Sequence, residues 1–314
     1  MISIITPLYN EEQSLKELYD RLAAATLQLP DPIEMIFVND GSVDGSAEVL
    51  DRLVEQDDRV VAIHLRRNFG QTAAIMAGFD RAKGDVIVCL DADLQNDPAD
   101  IPRLIAALDD GFDVVSGWRK DRKDPFFSRV LISRIANWII GFLSRVRIHD
   151  YGCSLKAYRA SVVKDVRLYG EMHRFIPIYA KWQGARIAEL EVTHHPRRHG
   201  KSKYGIDRVF KVTMDLLVVL FLHKYNQKPM YIFGAAGMFS FVVAFLAGSL
   251  ALFYKLTGQK SFIETPLPLL VALGILVGFM CFLMGLLAEM IVRTYFEAQE
   301  KKTYSVERIS GVTS

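Results

Sequence analysis

The sequence predicts an α/β domain on a mostly parallel sheet, then interfacial amphipathic helices and two C-terminal transmembrane helices. Three observations carry this. Short apolar runs alternate with amphipathic stretches through residues 1–115. Two long uncharged runs lie near the C-terminus. The formal net charge of +2 conceals a split: residues 1–115 hold 9 Lys/Arg against 22 Asp/Glu, residues 116–229 hold 23 against 9, and residues 230–314 hold 6 against 5. With 51% apolar and 24% charged residues, the chain is neither disordered nor collagen-like.

The acidic piece opens with a strand at Ser3–Ile5 and a helix over Glu11–Leu27. A strand at Met35–Val38 and a helix over Asp44–Val54 follow, then strands at Val60–Leu65, Val86–Leu90 and Val114–Ser116 with helical stretches between. MISIITPLYNEE shows no basic leader and no cleavage site, so this piece is expected in the cytoplasm. Ligands of such sheets bind beyond the carboxyl ends of the strands. Three of those ends are polar: Thr6-Pro7-Leu8-Tyr9-Asn10-Glu11, Val38-Asn39-Asp40-Gly41-Ser42 and Leu90-Asp91-Ala92-Asp93-Leu94-Gln95. A DxD at a strand end sets two carboxylates within reach of one hard cation, Mg²⁺ or Mn²⁺, with positions left for phosphate oxygens. A lone DxD is as often a helix cap or a turn; the two neighbouring polar ends favour the metal. No GxGxxG, GxxxxGK[ST] or GxSxG occurs, which disfavours dinucleotide oxidoreductases, P-loop NTPases and α/β-hydrolases.

The basic piece begins with Arg119, Lys120, Arg122 and Lys123. Phe126–Arg147 reads as a helix in which Arg129, Ser133, Arg134, Arg145 and Arg147 alternate with apolar residues. It holds no acid, which favours a membrane interface over an ordinary core helix. His194–Gly205 is a basic loop with Gly and Pro, suited to phosphates that arrive and leave. Its histidines lack carboxylate or thiol company, against a metal there. A basic loop also fits nucleic acid; the membrane spans and the acidic first piece argue against that partner. Asp207–Tyr225 reads as a second interfacial helix.

Met230–Tyr254 runs 25 residues without a charge and Thr265–Ala288 another 24. Each exceeds the roughly 20 needed to cross a bilayer core, and the repeated glycines suit close helix contact in lipid. Lys224, Lys228, Arg293, Lys301 and Lys302 flank the pair, so both termini are expected inside the cell. Glu289 reads as a boundary residue. Cys89, Cys153 and Cys281 are odd in number and form no CxxC pair, against a disulfide framework or zinc site. The organisation expected is a cytoplasmic catalytic domain over 1–205 (a nucleotide half, 1–115, and an acceptor half, 116–205), an interfacial helix at 206–229, a hairpin over 230–290 and a cytoplasmic tail at 291–314.

TPLYNEE (6–12), VNDGSVDGS (38–46), RNFGQTAAIMAGF (67–79), LDADLQNDP (90–98), DYGCSLKAYR (150–159) and GKSKYG (200–205) give the chain a family likeness. With the two spans, it resembles the family 2 glycosyltransferases that load a sugar onto a polyprenyl phosphate. These include dolichyl-phosphate mannose synthases, bactoprenol glucosyltransferases and undecaprenyl-phosphate aminoarabinose transferases. The resemblance implies a Rossmann-like nucleotide-sugar-binding domain of the A type. By its motifs, Pro7, Tyr9, Glu11 and Asp40 would hold the nucleoside, while Asp91, Asp93 and Gln95 would hold the divalent ion and diphosphate. Arg119, Arg129 and Ser133 would bind the acceptor phosphate, and Arg198, Lys201 and Lys203 match the family's basic loop over the phosphates. Close relatives suggest a homo-oligomer, such as a tetramer.

The implied reaction is inverting transfer from a nucleotide sugar, UDP preferred over GDP, to undecaprenyl or dolichyl phosphate on the cytoplasmic membrane face. Asp91, Asp93 and Arg129 would be the catalytic set, with Asp91 a candidate for polarising the acceptor. An alcohol acceptor needs a general base, whereas a phosphate monoester is already ionised near pH 7. The TED and QxxRW motifs of polysaccharide synthases are absent; Gly170-Glu171-Met172-His173-Arg174 stands at the expected place. Three alternatives are a GDP-mannose-dependent polyprenyl-phosphate mannose synthase, transfer to another lipid such as diacylglycerol, and a non-catalytic sensor or scaffold.

Overall fold

The first strand, β1 (Ile2–Leu8), is buried along its whole length, a burial that a half-exposed strand does not show. Covering it takes helices on both faces, and the chain supplies them. A computed structural model describes residues 1–120, 140–141, 144, 146, 148–164, 166, 168, 172–196, 230–297 and 303–311. It divides into two units, Met1–Leu217 with Lys302–Ser314, and Val218–Lys301.

In the first unit, β1 is followed by α1 (Glu12–Thr26), β2 (Ile33–Asn39), α2 (Ser46–Gln56), β3 (Val60–Leu65), α3 (Gln71–Arg81), β4 (Val86–Cys89), α4 (Ile101–Asp109) and β5 (Val114–Trp118). Then come β6 (Lys156–Arg159), α5 (Ala160–Val163), α6 (Ile176–Trp182), β7 (Ile187–Glu191) and, after the hairpin, β8 (Val306–Ser310). The strands form one sheet in the order β7-β5-β6-β4-β1-β2-β3-β8. Its centre, β4-β1-β2-β3, is parallel as expected. β6 runs antiparallel between β4 and β5, and β8 runs antiparallel along the edge of β3.

The predicted strands and the first two helices stand within a few residues of their expected bounds. Three strands lie where no strand was expected. β6 falls inside the DYGCSLKAYR motif, β7 is only half-buried with weak alternation, and β8 falls in the expected tail. The tail strand covers the edge of β3, whose backbone groups would otherwise stand unpaired.

Leu15, Leu18 and Leu22 face the sheet from α1, spaced three and four apart as one helical stripe requires. They join Ile2 and Ile4 of β1, Phe37 of β2, Leu50 and Leu53 of α2, and Leu104 and Leu108 of α4 in one core. On the opposite face α3 lies so close that a Cβ on Gly78 would come 2.4 Å from Ile5 Cγ2.

The second unit consists of α7 (Met230–Leu256) and α8 (Leu267–Glu297). Each is long enough to cross a bilayer, and both candidate spans, Phe233–Leu256 and Leu267–Ala288, leave most of their apolar surface uncovered. Small residues set their approach: a Cβ on Gly274 would come 2.9 Å from Ala244 Cβ, and one on Gly278 would meet the Phe241 ring. The expected helices over Phe126–Arg147 and Asp207–Tyr225, apart from Ile140, Gly141, Ser144 and Val146, and the basic loop beyond Pro196 lie outside the described residues.

Gly78→Leu is expected to lower stability by about 1–3 kcal/mol through overpacking against Ile5. A fall in the unfolding midpoint of detergent-purified protein checks this.

Candidate active site

The order β4-β1-β2-β3 contains a switch point. The chain builds outward from β1 to β2 and β3, then returns to the other side of β1 as β4. The loops after β1 and β4 therefore open a crevice between them, the usual ligand position of an open α/β sheet. The loops after β2 and β3 line the same edge.

Hydrogen bonds knit the first three loops together. Asn10 N–H donates to Ser42 Oγ at 2.9 Å, and Val43 N–H donates to Asn10 Oδ1 at 2.9 Å. Glu11 N–H donates to Ser46 Oγ at 3.0 Å. Asn10 holds φ +57°, a left-handed conformation that asparagine tolerates better than most residues. Gly41 also has positive φ, and a Cβ there would come 2.4 Å from the Arg67 carbonyl carbon, so this turn takes only glycine.

Asp40 was expected to hold the nucleoside, and its structural position is more specific. It is 3% exposed, and its carboxylate accepts N–H bonds from Phe69 at 2.7 Å and Gly70 at 2.9 Å. Burial raises its pKa, and the two backbone donors oppose that rise. Asp40 thus ties the β2 loop to the β3 loop. Pro7 is buried at the end of β1, while Tyr9 and Glu11 are half-buried beside it.

The β4 loop carries the carboxylate pair. Along Asp91–Asp97 burial alternates residue by residue: Asp91, Asp93, Gln95 and Asp97 are half-buried, while Ala92, Leu94 and Asn96 point inward. Leu94 holds φ +59° with its side chain 2% exposed, so core packing anchors a backbone conformation that bulky residues rarely adopt. Burial, then the charge of Asp93, pushes Asp91 up to about 6. Gln71 Nε2 donates to Asp91 Oδ1 at 2.6 Å, and Ser154 gives it a further hydrogen bond.

This donor set fits a hard divalent cation. It is made of oxygens, and its two carboxylates raise each other's energy until a positive charge relieves them. Among the described residues no group of three or more His, Cys, Asp or Glu could form a complete protein cage. A cation held here would keep positions for diphosphate oxygens and water. Gln95 has its backbone carbonyl taken by His195 N–H at 2.8 Å. That bond, the bridge between Asn96 and His194, and the contact of His195 Nε2 with Asp97 at 3.0 Å pin the DxD loop to the segment leading into the basic loop.

Two cations act on Asp91 from elsewhere in the fold. Arg119 donates to both oxygens of Asp150, at 2.7 and 3.0 Å, and both side chains are largely buried. A Cβ on Gly152 would come 3.2 Å from an Arg119 amino nitrogen and 3.5 Å from one of Arg174, so the two guanidinium groups converge over this glycine. Both lower the Asp91 pKa. The structure thus brings Arg119 to the same crevice as Asp91 and Asp93. Arg129, Ser133, Arg198, Lys201 and Lys203 lie outside the described residues.

Several site residues received no role from the sequence. Gln71, Asp150, Ser154 and Lys156 all fall in segments that carried the family likeness. Lys156 is buried and donates to the carbonyls of Tyr151, at 3.1 Å, and Cys153, which secures the loop bearing Ser154. His173 contacts Thr72 Oγ1 through Nδ1 at 2.7 Å, and burial holds its pKa well below the ordinary value. Arg174 drew notice only through a missing motif; nothing in its sequence neighbourhood joins it to β4. Asp150→Ala is expected to cost about 3 kcal/mol, since it removes both carboxylate hydrogen bonds from the largely buried Arg119 guanidinium; chemical denaturation measures it.

The sequence profile of glycosyl transferase family 2 matches residues 3–167. The chain is 43% identical over 312 residues to a dodecaprenyl-phosphate galacturonate synthase of Rhizobium johnstonii, covering 98% of this chain and 92% of the relative. It is 39% identical over 310 residues to an undecaprenyl-phosphate 4-deoxy-4-formamido-L-arabinose transferase of Edwardsiella ictaluri, covering 98% and 94%. Among solved structures, the glucosyl-3-phosphoglycerate synthase of Mycobacterium tuberculosis, crystallised with Mn²⁺, UDP and glucosyl-3-phosphoglycerate, superposes with a TM-score of 0.53 at 17% identity, covering 71% of this chain and 79% of that one. That likeness establishes the shared fold. From the sheet, its polar strand ends and these relatives, the chain is a member of glycosyl transferase family 2.

Proposed function

We propose that this protein transfers one sugar, with inversion, from a nucleotide sugar to a polyprenyl phosphate at the cytoplasmic face of the cell membrane. The observation that carries the reading is the meeting of opposite charges at the β4 loop: Asp91, beside Asp93, lies within the electrostatic reach of Arg119 and Arg174. The names of the similar proteins support the lipid acceptor. Two candidate spans support membrane attachment.

Tyr9, Glu11 and the wall built on Asp40 receive the nucleoside, with Pro7 closing the end of β1. A UDP-sugar is the preferred donor. Asp91, Asp93 and Gln95 hold a divalent cation, which supplies counter-charge to the diphosphate. Arg119 takes the lipid phosphate, together with Arg129 and Ser133 of the amphipathic helix. Arg198, Lys201 and Lys203 cover the phosphates as donor and acceptor meet. An ionised oxygen of the lipid phosphate attacks the anomeric carbon, and the bond to the diphosphate breaks on the opposite face. Holding the two substrates in line is the main work of the site. Ser154 and Gln71 fix the Asp91 carboxylate, and Arg174 adds positive charge where two phosphate groups come close. Several copies of the chain assemble into a homo-oligomer.

The test is a donor screen on detergent-purified protein with undecaprenyl phosphate and Mg²⁺ or Mn²⁺, the lipid weighed by mass spectrometry. UDP-galacturonate and the UDP-formamidoarabinose sugar come first, after the relatives' names. A mass gain of one sugar from one donor is expected. Silence from every donor, with nucleotide binding intact, overturns the acceptor. Asp93→Ala is expected to abolish metal-dependent turnover in a folded protein. Arg129→Ala is expected to raise the lipid KM more than the donor KM. Arg174→Ala is expected to lower kcat/KM about a hundredfold with an unchanged circular dichroism spectrum.

A further inference from the structure

His64 lies outside every motif of the site, yet it is 3% exposed at the carboxyl end of β3. It stands in register with Asn39 of β2 on one side and with Arg308 of β8 on the other. In-register neighbours on adjacent strands share a face, so these three side chains form one row across the sheet. The same face carries Phe37 and Ala62 into the core beneath α1 and α2. The row is therefore the polar end of an apolar stripe; His64 Nδ1 is paired with Asn39, while the buried Nε2 meets no hydrogen-bond partner among the described residues.

The hydrogen bonds fix each member. Asn39 Oδ1 accepts the Ser42 N–H at 2.9 Å, which turns its amide nitrogen toward His64. That nitrogen lies 3.2 Å from His64 Nδ1. Burial and the Arg308 charge hold the imidazole below its ordinary pKa, against the opposing charge of Asp51. The ring is then neutral at pH 7, Nδ1 accepts from Asn39, and the hydrogen sits on Nε2. Nε2 lies 3.5 Å from Asp51 Oδ1. Asp51 in turn accepts hydrogen bonds from Arg308 at 2.8 and 2.6 Å and from Ser310 at 3.2 Å.

We propose that His64 is a positioning residue for the donor site, coupling the C-terminal strand to the turn after β2 through the Asn39 amide. Both ends of that amide are in use. Without the acceptor at Nδ1, the buried amide nitrogen is unpaired, and the side chain gains by turning away. The Ser42 N–H then loses its acceptor. Ser42 also accepts from Asn10, so the disturbance reaches the loop bearing Tyr9 and Glu11. Arg308 acts at the other end by holding Asp51 beside the ring. The inference rests on the proposed docking of the nucleoside against Tyr9, Glu11 and Asp40.

The experiment compares variants of the full-length, detergent-purified protein by UDP titration calorimetry with Mn²⁺ and by steady-state kinetics. His64→Leu is expected to raise the UDP Kd and the donor KM about tenfold, leaving kcat and the lipid KM within about twofold. His64→Asn, whose Oδ1 stands where Nδ1 does, is expected to restore both to within about threefold of the natural protein. An unchanged donor KM in His64→Leu, parallel shifts of donor and lipid KM, or an Asn variant as damaged as the Leu variant each overturn the proposal. Should His64→Leu fail to fold, His64→Gln decides the question, because it keeps a polar group toward Asp51 and removes the acceptor for Asn39. A donor KM equal to that of His64→Asn then refutes it. Arg308→Gln, at a half-exposed side chain, is expected to raise the donor KM about threefold; no change removes the C-terminal strand from the coupling. Tyr9→Ala separates the two readings. If it leaves UDP binding intact, the nucleoside placement falls and takes this inference with it. If it weakens binding while the His64 variants do not, this inference alone falls.

Discussion

Asp91 and Asp93 concentrate negative charge in a half-buried loop at the end of β4, and much of the first unit is arranged around that cost. Two carboxylates this close repel, and burial denies them water. Gln71 and Ser154 donate hydrogen bonds to the Asp91 carboxylate, while Arg119 and Arg174 supply positive charge nearby. Those four residues come from α3, the segment before β6, the end of β5 and the turn before α6, so one electrostatic problem recruits much of the sheet edge. What is left over is suited to a divalent cation and the diphosphate it neutralises.

The supporting groups need support of their own. Arg119 near Asp91 would be costly alone, and Asp150 balances it with two hydrogen bonds. Lys156 is buried without a carboxylate at hydrogen-bonding distance among the described residues and instead caps two backbone carbonyls. Burial lowers its pKa from the ordinary lysine value. The loops after β2 and β3 solve the same problem with backbone donors, as Asp40 does with Phe69 and Gly70. Rigid loops of this kind suit a reaction in which positioning supplies much of the rate.

Much of this was legible in advance. The parallel strands announced themselves as apolar runs, α1 as an amphipathic stretch, and the candidate spans by length and absence of charge. The DxD stood out because it follows an apolar strand with two more polar strand ends beside it. β8 did not, because Val306–Ser310 is short, largely exposed, and separated from β3 by some 240 residues of chain. Arg174 and His64 were hidden for a related reason: each matters through a residue far away in sequence. Asp40 was visible as a site residue, but its use of both oxygens on the next loop was not.

The sequence by itself determined the architecture class, the family and the two candidate spans, and it singled out the carboxylate pair, because those depend on composition, periodicity and short motifs. Tertiary structure decided which side chains gather around them. Cross-strand register set Asn39, His64 and Arg308 in one row, and the absence of a Cβ on Gly152 let two guanidinium groups converge. Charge balance and hydrogen bonding act over a few ångströms of space, whatever the separation along the chain, and only the folded sheet sets those distances.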